Sequence, residues 1–128
     1  MEYKTWLEKY TEKKTETSKI EELLEIQDKS KNKDVIVTGK VKEIRQMHND
    51  YLSTFIILED SGNCIIARGA ASSWRQYELI FAEKDDEITV KGDYIPKDQQ
   101  IYIYSAYNHS LEERMGTKKG DTRLSEAV

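Results

Sequence analysis

Val35-Ile36-Val37-Thr38-Gly39-Lys40-Val41-Lys42-Glu43-Ile44 is the first of five segments that predict β-strands. It is rich in β-branched residues, which is typical of a β-strand. Four later segments have the same character, namely residues 54–60, 64–68, 87–95 and 101–107. Residues 72–83, between the third and fourth, can form a helix. Three strands, a helix and two strands are the order of a small five-stranded Greek-key barrel, so the predicted fold class is mainly β.

Alternation within each strand separates the side chains expected inside the barrel from those expected outside. In the first strand, Val35, Val37 and Val41 are predicted to face inward and Ile36 outward. The inward pairs predicted in the next three strands are Ile56 with Leu58, Cys64 with Ile66, and Ile88 with Val90. This choice places Phe55 outside, beside the cations of the first strand.

An apolar stripe marks the beginning of the chain. Tyr3, Trp6, Leu7 and Tyr10 follow the spacing of one helical face. A short helix cannot bury such a stripe alone. It therefore docks either on the same barrel or on a second copy or another protein. On the second alternative, these four residues are predicted to form an oligomer or partner contact.

A second short helix is predicted before the first strand. Ser18 and Glu21 have the spacing of a capping box, and Ile20, Leu23 and Leu24 fall on one side of the helix that follows. We expect this helix to cover one open end of the barrel.

Three regions are predicted along the chain. Residues 1–33 form a helical N-terminal extension, residues 34–110 the barrel, and residues 111–128 a polar flexible tail without apolar periodicity. With 128 residues, the chain has room for one small core.

The composition excludes several classes of function. The lone cysteine, Cys64, excludes an internal disulfide, and with the isolated His48 and His109 it makes no metal site. No nucleophile–base pair or glycine-rich phosphate loop is present, so we expect neither an enzyme nor a bound cofactor. The longest apolar run, residues 55–58, is too short to cross a bilayer, and no targeting signal is found. A cytoplasmic protein is predicted.

Three motifs resemble one family. Val37-Thr38-Gly39-Lys40-Val41, Leu58-Glu59-Asp60-Ser61-Gly62 and Ile88-Thr89-Val90-Lys91-Gly92 are similar to motifs of nucleic-acid-binding OB-fold domains. The likeness is to the anticodon-binding type and to bacterial single-stranded-DNA-binding proteins, and it covers residues 34–110. It implies a ligand lying across the second and third strands, between the loops at residues 46–51 and 96–100.

Single-strand binding needs aromatic rings for bases and cations for phosphates. The residues near the implied site that offer these groups are Lys40, Lys42, Arg45, Tyr51, Phe55, Arg68, Lys97 and Tyr102. Each has a structural alternative: the lysines can be solvated strand residues, Tyr51 can cap the barrel and Phe55 can belong to the core. Tyr102, Tyr104 and Tyr107 can pack on the N-terminal helix instead of stacking on bases, and Trp74 is expected to plug the barrel.

The predicted function is non-enzymatic binding of single-stranded nucleic acid, DNA more than RNA, with little sequence preference. Charge opposes this prediction, because the net charge is −4 and phosphate binding depends on cations. An interaction or assembly module that uses the barrel as a scaffold is the alternative. Self-association through the N-terminal segment is compatible with either function.

Overall fold

The structure is a computed structural model that describes residues 2–11, 15, 17–48, 52–69 and 77–115. Its five strands are β1 Lys33–His48, β2 Leu52–Asp60, β3 Asn63–Gly69, β4 Glu87–Ile95 and β5 Gln100–Asn108. Its helices are α1 Tyr3–Thr11, α2 Ile20–Leu24, α3 Tyr77–Ile80 and α4 His109–Met115.

The five strands close into a barrel in the order β1-β2-β3-β5-β4. The long strand β1 closes it, because residues 33–40 pair with β4 and residues 40–48 pair with β2. All pairs are antiparallel except β3 with β5, which is parallel. With α3 between β3 and β4, this arrangement confirms the predicted OB-fold barrel.

Most of the predicted core is confirmed. Val35, Val37 and Val41 of β1 are fully buried inside the barrel. The predicted inward residues of β2 and β4 are buried in the same core, and they are Ile56, Leu58, Ile88 and Val90.

The prediction for β3 was wrong by one residue. Ile65 and Ala67 lie in the core, whereas Cys64 is only partly buried and outside that cluster. Pairing explains the difference, because Ile65 stands opposite the inward Leu58 and Ala67 stands opposite the inward Ile56. Directly paired residues share one face of a sheet. Since both alternating sets of β3 are apolar, the sequence of the strand alone did not select the right one.

Strand β1 is longer than predicted and continues to His48. Residues 46–48 therefore belong to a projecting β1–β2 hairpin and not to a loop. The register of this hairpin shifts between Val41 and Glu43, at a bulge that contains Lys42.

Helix α2 closes one end of the barrel, as predicted. Ile20 and Leu23 are fully buried and belong to the barrel core. The helix start lies one residue later than predicted, because the carboxylate of Glu22 accepts a hydrogen bond from the backbone N–H of Lys19 at 2.8 Å. The backbone N–H of Ser18 is already used, since it donates to the carbonyl of Ile36 at 2.9 Å. Thr17 forms a parallel bridge to the same residue of β1.

Helix α1 docks on the outer surface of its own barrel. Trp6 is 5% exposed and packs with Ile36 of β1 and Tyr107 of β5. Its indole Nε1 donates to the Ser105 hydroxyl at 2.9 Å. Ile36 faces outward as predicted and is nevertheless buried, because α1 covers it. Of the two alternatives for the stripe, the structure shows docking on the same barrel.

Helix α4 is fixed to the barrel by a polar network. Asn108 caps it by accepting a hydrogen bond from the Leu111 N–H at 2.9 Å, and its amide donates to Asp86 at 3.0 Å. The guanidinium of Arg114 also donates to Asp86. The sequence prediction placed the start of the tail at residue 111, and α4 runs across that position. Residues 116–128 of the predicted tail lie outside the described part of the chain.

The network affects the ionisation of Asp86. Burial alone would raise the pKa of this carboxyl, but hydrogen bonds from Arg114, Asn108 and the Glu83 N–H hold the pKa below its ordinary value. A lowered pKa in the folded state stabilises the protein above the ordinary pKa of about 4. That stabilisation disappears as the pH falls through the lowered value.

Replacement of Asp86 by Asn is therefore expected to lower the free energy of unfolding at pH 7 by about 1–3 kcal/mol, since the charged hydrogen bonds from Arg114 are lost. The variant is also expected to lose less stability than the wild type between about pH 5 and pH 2. Urea unfolding at several pH values measures both effects. Asp85→Asn is the control, because Asp85 is an exposed neighbour at a φ of 74° that Asn tolerates. Equal pH slopes for wild type and Asp86→Asn would contradict the assignment.

Gly92 is required where the backbones of β4 and β5 approach. A Cβ at this position would lie 2.2 Å from the carbonyl oxygen of Tyr102. Gly92→Ala is expected to lower the free energy of unfolding by at least about 2 kcal/mol, because the backbone of β4 or β5 must move to accommodate the methyl group. Gly39→Ala is the matched control with a smaller expected loss, since its Cβ would lie 3.1 Å from the nearest atom. Urea midpoints that rank the two variants in the opposite order would refute this explanation.

Candidate nucleic-acid interface

Four of the residues selected from the sequence form one row across the outer surface of the barrel. Arg45 of β1 stands opposite Phe55 of β2, Phe55 opposite Arg68 of β3, and Arg68 opposite Tyr102 of β5. We call these four residues the outer row. Adjacent strands lie about 4.8 Å apart, so their side chains form a continuous strip of alternating cationic and aromatic groups.

The centre of the outer row is a cation–π pair. The guanidinium carbon of Arg68 lies 5.8 Å from the ring centroid of Phe55. Its Nε is buried and has no hydrogen-bond partner within the described residues. Phe55 faces outward as predicted, but it is only 9% exposed and therefore not an open platform. Arg68, lying against that ring, is the more accessible member of the pair.

The β5 end of the outer row carries exposed aromatic rings. Tyr102 is 38% exposed and Tyr104 is 54% exposed, and they alternate with the buried Ile101 and Ile103. Of the three tyrosines that could pack on the N-terminal helix, Tyr107 does so as a member of the Trp6 cluster. Tyr102 and Tyr104 present their rings on the surface.

The remaining predicted cations lie on the strands and on the β4–β5 turn. Lys40 is exposed on β1, and Lys97 is exposed in the turn. Lys42 lies 3.5 Å from the Glu59 carboxylate, and the Nε of Arg45 lies 3.0 Å from the Glu43 carboxylate. Exposed ion pairs of this kind contribute at most about 1 kcal/mol, so a phosphate can compete for these cations.

Carboxylates are interspersed with the cations on this surface. Glu43 is adjacent to the outer row on β1, and Asp93 of β4 stands opposite Tyr102. The surface is therefore mixed in charge.

A buried lysine lies beyond the β5 end of the outer row. Lys91 is 6% exposed, and its ammonium donates to Asp34. It lies 5.2 Å from the ring centroid of Tyr104 and 5.6 Å from that of Tyr10. Burial alone would raise the pKa of Asp34, but hydrogen bonds from Lys91 and Thr15 lower it, so the carboxylate stays charged beside the ammonium. The sequence analysis missed this cluster, because it depends on how α1 docks.

A histidine lies where α1, β4, β5 and α4 meet. The Nε2 of His109 is 2.8 Å from the Thr89 hydroxyl, and its ring is 4.5 Å from that of Tyr3. Burial lowers the pKa of His109, while the nearby Glu87 and Glu113 oppose that shift. Within the described residues, no three His, Cys, Asp or Glu side chains are arranged to hold a metal ion.

Two predicted aromatic positions lie outside the described residues. These are Tyr51, a candidate for base stacking, and Trp74, the expected barrel plug. The described helices include none that is long and apolar enough to span a membrane.

Comparisons with known proteins identify a fold. No protein-family model and no curated protein matches the sequence. Among solved structures 114 chains match, so the architecture is widespread and does not by itself indicate a function. One of them comes from the crystal structure of yeast Stn1 and Ten1, and it aligns with 73% of this chain at a TM-score of 0.51 and 7% identity. The alignment covers 60% of that chain. At this identity the likeness shows that the two chains share the barrel fold.

Proposed function

We propose that this protein binds single-stranded nucleic acid across the outer row, without catalysing a reaction. DNA is the preferred ligand in this proposal, and sequence preference is low. The observation that supports it is the unbroken order Arg45, Phe55, Arg68, Tyr102 across four neighbouring strands. A cytoplasmic location stays a prediction.

The chemistry of the outer row matches the two features that all single strands share. Every base has a π-face, which stacks on an aromatic ring or a guanidinium plane, and every nucleotide has a phosphate, which pairs with a cation. Tyr102 offers an exposed ring, and the guanidinium carbon of Arg68 lies 5.8 Å from the ring centroid of Phe55. Stacking on a π-face and pairing with a phosphate do not read base edges, which is why low sequence preference is proposed.

None of the four residues of the outer row belongs to the apolar cluster under α1. Helix α1 covers the outer surface at Ile36 and Tyr107, and the outer row lies away from that cluster. A ligand on the outer row would therefore not have to displace α1.

A protein-interaction module is the alternative function. The observation that favours it is the exposure of Ile80 and Phe81 at the end of α3, since exposed apolar side chains are common in protein interfaces. Self-association through Tyr3, Trp6, Leu7 and Tyr10 stays a prediction. Because Trp6 is buried on its own barrel, self-association through the whole stripe would require α1 to exchange between copies.

The first test is fluorescence anisotropy of a labelled single strand of about thirty nucleotides, compared with the same sequence as a duplex, at two salt concentrations. We expect preference for the single strand and weaker binding as salt rises, because counterions compete for the cations. Replacement of Tyr102 by Ala is expected to weaken binding about 5- to 150-fold, the loss of one stacked base. Arg68→Gln is expected to reduce the dependence of log K on log salt by about 0.7.

Lys29→Gln is the charge-matched control, since Lys29 is exposed in the turn before β1. It should leave affinity near that of the wild type. No binding at low salt would refute the proposed function. Equal effects of Arg68→Gln and Lys29→Gln would show that binding is not centred on the outer row.

A further inference from the structure

We infer that Tyr104 is a second stacking site, which extends the bound single strand from the outer row along β5 to the last turn of α1. The inference rests on the proposed function. It assigns Tyr104 and Lys9 as additional nucleic-acid contacts, and it gives α1 a part in ligand binding as well as in packing.

A bulge in β5 lies at Tyr104. Lys91 pairs with Ser105 and Gly92 pairs with Ile103, so Tyr104 is the extra residue between two paired positions. Ser105 also faces outward, where its hydroxyl accepts the hydrogen bond from Trp6. The bulge therefore places an exposed ring immediately beside the point where α1 docks.

Tyr102 and Tyr104 form a short aromatic track. Both project from the same face of β5, and both are more than one-third exposed. Tyr102 is continuous with Arg68 in the outer row. A strand whose bases stack on the outer row can therefore place its next base on Tyr104 without leaving the surface.

The ring of Tyr104 is held from beneath. The buried ammonium of Lys91 lies 5.2 Å from its centroid, and the Asp93 carboxylate accepts a hydrogen bond from its phenol. Burial raises the pKa of this phenol, and Asp93 and Asp34 raise it further, so the group stays neutral beside a nucleic acid. A ring fixed before binding loses less conformational entropy when a base stacks on it.

The last turn of α1 supplies a cation at the end of this track. Tyr10 lies against the same Lys91 ammonium as Tyr104, which places the end of α1 next to the β5 bulge. Lys9 is exposed there, with its ammonium 5.7 Å from the ring centroid of Tyr10. A phosphate that follows the base on Tyr104 would meet this cation.

The test uses the full chain with labelled oligothymidylates of about six and about eighteen nucleotides. Tyr104→Ala is expected to weaken binding of the longer strand about 5- to 150-fold and to affect the shorter strand less, because the shorter one can remain on the outer row. Tyr104→Phe keeps the ring and should bind nearly as the wild type does. Lys9→Gln is expected to reduce the salt dependence for the longer strand alone, by about 0.7 in the slope.

A crosslinking measurement adds a readout that a purely structural role would not change. A strand that carries 5-iodouracil forms photoadducts with aromatic side chains stacked on that base, and mass spectrometry of the digested adduct locates them. We expect adducts on Tyr102 and Tyr104. Ile80→Ala is the control for loss of an exposed apolar side chain away from the track, and thermal unfolding of each variant reports its folding.

Failure of the inference differs from failure of the proposed function. If the wild type binds and Tyr102→Ala weakens binding, but Tyr104→Ala binds both strands normally and no adduct forms on Tyr104, the extension is refuted and the outer row stands. If the wild type binds neither strand, both proposals are refuted.

Discussion

The fold depends on the long strand β1, which closes the barrel by pairing with two neighbours. The first half of β1 pairs with β4 and its second half pairs with β2, so the strand must twist through the corner of the barrel. The bulge at Lys42 provides the change of direction, and Gly92 on β4 allows the close approach of β5 on the opposite side. Without this double pairing the five strands would form an open sheet, and the ends of the outer row would not be brought onto one curved surface.

The outer surface of the barrel is divided by what covers it. Helix α1 buries Ile36 and Tyr107, and α4 adds His109 at the same edge. Arg68 and Tyr102 do not belong to the apolar cluster that α1 covers. Helix α1 therefore buries Tyr107 while Tyr102 and Tyr104 stay exposed, although all three tyrosines project outward from β5.

Much of the fold could be predicted because most strands are recognisable from their local sequence pattern. Alternation in β1 and β4 identified Val35, Val37, Ile88 and Val90 as core residues, and the succession of three strands, a helix and two strands predicted the barrel. Strand β3 could not be oriented, because Cys64 and Ile66 are as apolar as Ile65 and Ala67. Its orientation is determined by pairing with β2, which is information from another segment of the chain.

The candidate site was predictable in composition but not in arrangement. Suitable residue types were identified on adjacent strands, namely Arg45, Phe55, Arg68 and Tyr102. Their alignment in one row depends on the strand registers, and the register of β1 with β2 includes a bulge. The exposure of Phe55 was overestimated, since a strand pattern reveals the side of a residue and not the guanidinium that lies over it. Lys91 was missed for a related reason: a lysine between Val90 and Gly92 in a strand gives no sign that a distant helix will bury it.

The segment before α2 covers part of a strand edge of the barrel. Thr17 and Ser18 pair with Ile36 along the side of β1 that faces away from β4. On that side, the first half of β1 has no other strand partner in the described chain. Unpaired strand edges recruit strands from other molecules, which is a common route to aggregation. The N-terminal extension thus protects an edge as well as covering a face, and a barrel that began at residue 34 would expose backbone donors and acceptors that the longer chain keeps occupied.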